Sequence, residues 1–119
     1  MNATPGAITE DDIDEFARTY ARPDGLNGAI GLYRSMLKEG DNIKELAGEK
    51  PLGMPVLAVG AGGGPFTVNT MSQVTSGEVR SVSLEGVGHY AALEAPDKLA
   101  NVLLEFFSAV DANWKARPS

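Results

Sequence analysis

The sequence predicts an α/β fold whose second half is a βαβα unit and whose sheet is incomplete within one chain. Three observations carry that expectation. ProValLeuAlaVal, residues 55 to 59, is a continuous apolar run bounded by turn residues, the pattern of a strand covered on both faces in a parallel sheet. Val79 to Leu84 reads as a second short strand, and the stretch 66 to 75 between the two fits a weak helix with Phe66, Met71 and Val74 inward. Leu99, Leu103, Phe106, Phe107 and Val110 then form an apolar stripe along a helix from about Asp97 to Asn113. The crossover between the strands should be right-handed. Two parallel strands alone leave long unpaired edges, so the sheet needs further strands or another chain to complete it.

The first half of the chain reads as helical. Thr9 stands three residues before Asp12, close to a capping box, and Ile13, Phe16, Ala17 and Tyr20 follow at helical spacing. A helix is expected over 10 to 20. ArgProAspGly at 22 to 25 is turn chemistry, with proline pre-setting φ and glycine accepting a positive value. A second helix is expected from near Leu26, carrying Leu26, Ala29, Ile30, Tyr33 and Leu37 on one face and stopping at Gly40. The polar segment 41 to 53, broken by glycine and proline, reads as a linker. Residues 1 to 7 read as a flexible tail.

Size and composition narrow the function classes. A chain of 119 residues fits one domain, which by size buries roughly two-thirds of its unfolded surface. A hydrophobic content of 43% with 22% charged residues is that of a globular protein. No apolar run approaches the roughly 20 residues that span a bilayer, and the N-terminus lacks the basic and apolar regions of a secretory signal. There is no cysteine, so disulfides, thiolate metal sites and a cysteine nucleophile are excluded together. The expected location is the cytoplasm, with no membrane partner. Ten basic residues against sixteen acidic ones give a net charge of −6, which repels a phosphate backbone. Nucleic acid is therefore not expected as a partner.

The chain's one histidine, His89, lies in the loop after the second strand, at the carboxyl end where functional groups gather in open α/β sheets. Gly86 and Gly88 allow a sharp turn that brings the imidazole to the rim, where it can accept and return a proton near neutral pH. The glycine-rich GAGGGP at 60 to 65 fits neither the dinucleotide fingerprint nor the Walker pattern. No cofactor is expected. The acidic run Glu10, Asp11, Asp12, Asp14 and Glu15 reads as a solvated first helical turn, not a metal site.

GlyValGlyHisTyr at 86 to 90, followed by Glu94, Pro96 and a helix containing LeuLeuGluPhePhe, resembles the catalytic-histidine loop and final helix of α/β-hydrolases. LysProLeuGlyMetProValLeuAlaValGly at 50 to 60 is similar to that family's penultimate strand, and GlyLeuTyrArg at 31 to 34 resembles the end of the helical cap in its epoxide hydrolase and dehalogenase branch. The resemblance runs from about residue 8 to 111. It implies the carboxyl-terminal portion of an α/β-hydrolase fold, with residues 8 to 40 as the end of the cap, 41 to 53 as linker and 54 to 119 as the βαβα part of the core. In that branch an aspartate attacks an epoxide carbon, cap tyrosines donate to the ring oxygen, and the histidine activates water against the resulting ester. His89 matches the water-activating base and Tyr33 a cap tyrosine. At core spacing on an apolar helix face, Tyr33 reads more readily as a packing residue.

Two features depart from the family pattern. A nucleophile elbow needs a nucleophile centred between glycines four residues apart, and the pair with that spacing, Gly60 and Gly64, is centred on Gly62. Ser72, Ser76, Ser81 and Ser83 lack flanking glycines. One usual place for the acid partner, about three residues past the glycine ending the penultimate strand, is Gly63. The subgroup that holds its acid after an earlier strand accommodates this gap. Glu85 and Glu94 are near His89 in sequence but read as water-facing or helix-capping. Two functions are thus expected as alternatives. One is a part of an epoxide hydrolase-like enzyme acting on a small apolar epoxide or ester, with the nucleophile outside this chain. The other is a non-catalytic module that pairs its open sheet edge with itself as a dimer or with an N-terminal half.

Overall fold

A computed structural model describes residues 4 to 62 and 65 to 117. These divide into two compact units, one of Ile8–Pro51 and one in which residues 4 to 7 join the chain from Leu52 onward.

The first unit is two helices. Helix α1, Glu10–Tyr20, begins at the expected capping box: the Asp12 N–H donates to Thr9 Oγ1 at 3.2 Å and the Thr9 N–H donates to Asp12 Oδ2 at 2.9 Å. Glu10, Asp11 and Asp12 sit in its first turn, where negative charge complements the helix dipole. The bond from the Thr9 N–H, with that from its hydroxyl, holds the Asp12 carboxyl below its ordinary 3.8. A depressed folded value stabilises the helix above the unfolded pKa, and that contribution is lost as pH falls through the folded value. Thr9→Ala is expected to cost about 1 kcal/mol by urea unfolding at neutral pH, with the deficit shrinking as acid protonates Asp12.

The turn at Arg22 to Gly25 forms as expected but distributes its roles differently. Asp24 takes the left-handed conformation, with φ 62°, which its short polar side chain tolerates. Gly25 is needed for space, since a Cβ there would lie 2.5 Å from the Tyr20 carbonyl oxygen. Helix α2 then runs Asn27–Glu49, so it neither stops at Gly40 nor leaves 41 to 53 as a linker. The reason is legible in hindsight: Met36, Gly40, Ile43 and Ala47 continue the helical period, and one interior glycine costs only about 1 kcal/mol. The stop comes from Pro51, which disfavours helical backbone at Lys50, found at φ −142° and ψ 77°.

The second unit is an α/β arrangement. Strand β1, Val56–Ala61, pairs in parallel with β2, Val79–Leu84, in the register Val56↔Val79 through Ala61↔Leu84. A single parallel bridge, Leu52↔Thr75, precedes the ladder. Helix α3, Phe66–Val74, makes the crossover and packs against both strands. Its half-buried positions are Val68, Met71 and Val74, while Phe66 is 76% exposed and not inward as expected. A short helix α4, Ala91–Glu94, leads into α5, Pro96–Lys115, which takes proline at its first turn, where the missing N–H costs nothing. On α5 the covered stripe is Leu99, Val102, Phe106, Ala109 and Val110, and the expected inward Leu103 and Phe107 are exposed.

The core of this unit is small. Ala58, mid-way along β1, Leu84 at the end of β2 and Val87 in the loop after it are its buried hydrophobic residues among the described residues. Residues 4 to 7, expected as flexible tail, form a turn in which the Ala7 N–H donates to the Thr4 carbonyl, and the Thr4 N–H donates to Glu94 Oε1 at 2.8 Å. Among the described residues no helix is long and apolar enough to cross a membrane.

Candidate functional site

Both strands end on the same side, and the loops that leave them meet there. After β1 the chain turns at Gly62, φ 74°; after β2 it turns at Gly86, φ 72°, with the Val87 N–H donating back to the Leu84 carbonyl at 3.3 Å. Val87 and Gly88 are buried, and the chain then emerges at His89, whose side chain is exposed. The two loops touch backbone to backbone. A Cβ on Gly62 would stand 3.2 Å from the His89 N and 3.3 Å from the Gly88 carbonyl carbon. Glycine at 62 is thus required twice, for its φ and for its space.

His89 therefore stands at the carboxyl end of the parallel pair, with a buried segment behind it and water in front. The Tyr90 ring meets the imidazole edge-on, at 5.3 Å between centroids and 74° between planes. The Tyr90 carbonyl accepts the N–H groups of Leu93 and Glu94, which anchors the start of α4 directly after the histidine. An exposed imidazole so mounted can exchange a proton with water or with a bound molecule.

Among the described residues no carboxylate is bonded to the His89 ring. Glu85 accepts the Ser83 hydroxyl at 3.2 Å and Glu94 is occupied by the Thr4 N–H. The expected capping or water-facing role of Glu94 is replaced by this tie to residue 4. Tyr33 lies in the second turn of α2 and is 75% exposed, so within its own unit it is not the packing residue its spacing allows. His89 and Tyr33 belong to different units. Gly63 and Gly64, the expected places of an absent acid and of the second elbow glycine, lie outside the described residues. Among the described residues no group of three or more His, Asp or Glu side chains is arranged to hold a metal ion. The contributions of Gly62 as a backstop and of Tyr90 as a ring neighbour were not foreseen. The first was signalled only by a glycine following a buried strand, and the second by no pattern beyond adjacency.

Helices with a small parallel two-stranded sheet and a histidine loop at the strands' carboxyl end define a partial α/β fold. Comparison with known proteins gives that class a more particular likeness. The chain is 27% identical over 111 residues to Epoxide hydrolase A of Mycobacterium tuberculosis, covering 90% of this chain and 34% of that protein. It is 26% identical over 107 residues to a soluble epoxide hydrolase of Corynebacterium sp., covering 90% of this chain and 37% of that protein. The crystal structure of Cfl2 from Burkholderia cenocepacia superposes with a TM-score of 0.78 at 27% identity, covering 89% of this chain and 36% of that one. No family model matches. The chain spans about a third of the length of the curated relatives it matches. These likenesses support the carboxyl-terminal part of an epoxide hydrolase-like fold.

Proposed function

We propose that this chain contributes the water-activating histidine of an epoxide hydrolase-like α/β-hydrolase, with the nucleophile supplied from outside these 119 residues. The observation that carries the reading is His89 exposed on a loop at the carboxyl end of β1 and β2, held against the Gly62 turn. A carboxylate oxygen attacks a ring carbon of the epoxide, the C–O bond breaks, and the ring oxygen takes a proton donated by Tyr33. His89 then takes a proton from water, which attacks the ester carbonyl carbon. The acyl C–O bond of the ester breaks, the departing alkoxide takes the proton from His89 and leaves as the diol, and the proton left on the acid returns through solvent to Tyr33, restoring carboxylate and phenol. An ester substrate would follow the same second half.

The test is turnover of a small apolar epoxide by this chain alone and by the chain combined with the part of Epoxide hydrolase A that has no counterpart in it. The reading expects no turnover from the chain alone and epoxide opening from the combination; opening by the chain alone would remove it. Tyr33→Phe in the combination is expected to slow ring opening by about tenfold, the worth of one hydrogen bond. Its ester hydrolysis step, followed by single-turnover quench, should keep its rate.

A second reading is a non-catalytic module that self-associates or pairs with a partner, and it is favoured by the large apolar side chains left exposed. Leu32, Tyr33, Leu37, Phe66, Leu104 and Trp114 are each more than three-fifths exposed. A stable dimer of the isolated chain, together with a combination that turns over no epoxide and is unaffected by His89→Ala, would favour this module.

A further inference from the structure

The loop that carries His89 is backed on one side by the Gly62 turn, but the element that follows it is weak. Helix α4 is a single turn with no buried residue, and one turn of helix does not hold itself, because its few hydrogen bonds do not offset the cost of nucleation. The carbonyl that accepts the Leu93 and Glu94 N–H groups belongs to Tyr90, whose ring meets the imidazole edge-on. A frayed α4 therefore releases Tyr90, and with it the mount of His89.

The brace comes from 90 residues earlier in the chain. Glu94 presents Oε1 to the Thr4 N–H at 2.8 Å, while its Oε2 is closed off from water, so this carboxylate is turned into the protein. An N–H bonded to a carboxylate oxygen is of the stronger, charge-assisted kind. The donor is also pre-organised. Pro5 and Gly6 take the second and third places of a turn closed by the Ala7 N–H on the Thr4 carbonyl, with Gly6 at φ 76°, and these are the places where a type II turn favours proline and requires a residue of positive φ. Both residues are exposed, so they serve the shape of the turn and not its packing. Thr4 borders the same hollow as Gly86 and Val87. The turn thus reaches the segment before His89 as well as the one after it.

We infer that residues 4 to 7 are a strap and that Glu94 is a positioning residue: through α4 and Tyr90, the strap holds the His89 ring in the orientation from which it meets water. Neither Thr4 nor Glu94 touches a reacting atom. The catalytic consequence of the strap rests on the role proposed for His89.

Three variants of the full chain separate the strap from general stability. Glu94→Ala removes the acceptor, and Glu94→Gln keeps a carbonyl oxygen for the Thr4 N–H. Gly6→Ala leaves Glu94 in place and acts through conformation alone, since a Cβ there meets nothing within 4 Å but must enter the left-handed region. NMR of each reads the exchange of the Leu93, Glu94 and Ala95 amides and the ring-current shift that Tyr90 imposes on the His89 imidazole protons. Glu94→Ala and Gly6→Ala are expected to speed exchange at those amides by about tenfold, the worth of one hydrogen bond, and to move the imidazole shifts to those of free histidine. The amides of the β1 to β2 ladder should keep their rates, and Glu94→Gln should keep most of the protection and of the shift. Unchanged exchange and shift in Glu94→Ala and Gly6→Ala, or a loosening that spreads to the ladder, would overturn the inference. Combined with the unmatched part of Epoxide hydrolase A, Glu94→Ala should slow ester hydrolysis by about tenfold and leave ring opening unchanged, as read by single-turnover quench. Hydrolysis at the wild-type rate in Glu94→Ala, where His89→Ala abolishes it, would overturn the positioning role. Hydrolysis indifferent to His89→Ala as well would remove the proposed function and leave the strap, read on the chain alone, standing.

Discussion

Replacing His89 with alanine in the assembled enzyme is expected to lower kcat by about 10² to 10⁴-fold, the usual worth of a positioned general base. The loss should fall on one half of the reaction. Ring opening needs a nucleophile and a proton donor for the oxygen, and His89 supplies neither, so the burst of epoxide consumption should survive. Hydrolysis of the ester needs water made nucleophilic, and in the proposed reading that falls to the exposed imidazole at the strands' carboxyl end. Pre-steady-state quench would separate the two phases. Because the His89 side chain is exposed and makes no hydrogen bond among the described residues, the thermal midpoint of the variant should match the wild type, so lost activity would not be lost structure.

Gly62→Ala should destabilise the chain through both conformation and contact. Forcing a side chain into the left-handed region costs about 1 to 2 kcal/mol, and here the added methyl also presses on backbone at 3.2 Å and 3.3 Å, where no flexible side chain can yield. The His89 backbone must shift to admit it. Unfolding by urea should therefore show a deficit of about 2 kcal/mol or more. The assembled enzyme should lose rate as well, because the displaced atoms carry the imidazole. Gly53→Ala is the control, since a Cβ there meets nothing within 4 Å. It should change stability little and leave the rate alone.

Much of this fold was legible because several local rules agreed at each element. Thr9 and Asp12 marked the start of α1, the apolar run at β1 and the short strand β2 were both recognisable, and Pro96 with the stripe from Leu99 to Val110 announced α5. The failures share a cause. Leu103, Phe107 and Phe66 have core-like character but are exposed, while Val102 and Val68 are covered. A helical stripe wide enough for two packing partners shows where apolar surface lies, not which part of it a two-stranded sheet can reach. The overrun of α2 past Gly40 is a different error, in which one poor helix former was weighted above a period that continued through Ile43 and Ala47.

At the site, the position of His89 followed from strand order and two glycines, because a loop leaving a strand's carboxyl end has few places to go. The Gly62 backstop did not follow, because it depends on the approach of two loops 26 residues apart in the chain, 62 to 88. The tie between Thr4 and Glu94 was hidden for the same reason, being a contact across 90 residues. Long-range backbone contacts of this kind leave no periodic trace.

The central claim is that this imidazole activates water against a covalent ester. Mass spectrometry of the assembled His89→Ala protein after incubation with a small epoxide tests it most directly. The account predicts that the segment carrying the nucleophile gains the mass of the epoxide and keeps it for minutes after free epoxide is removed, while the wild type loses the adduct within its turnover time. An unmodified segment in the variant, or a variant that releases diol at the wild-type rate, would contradict it.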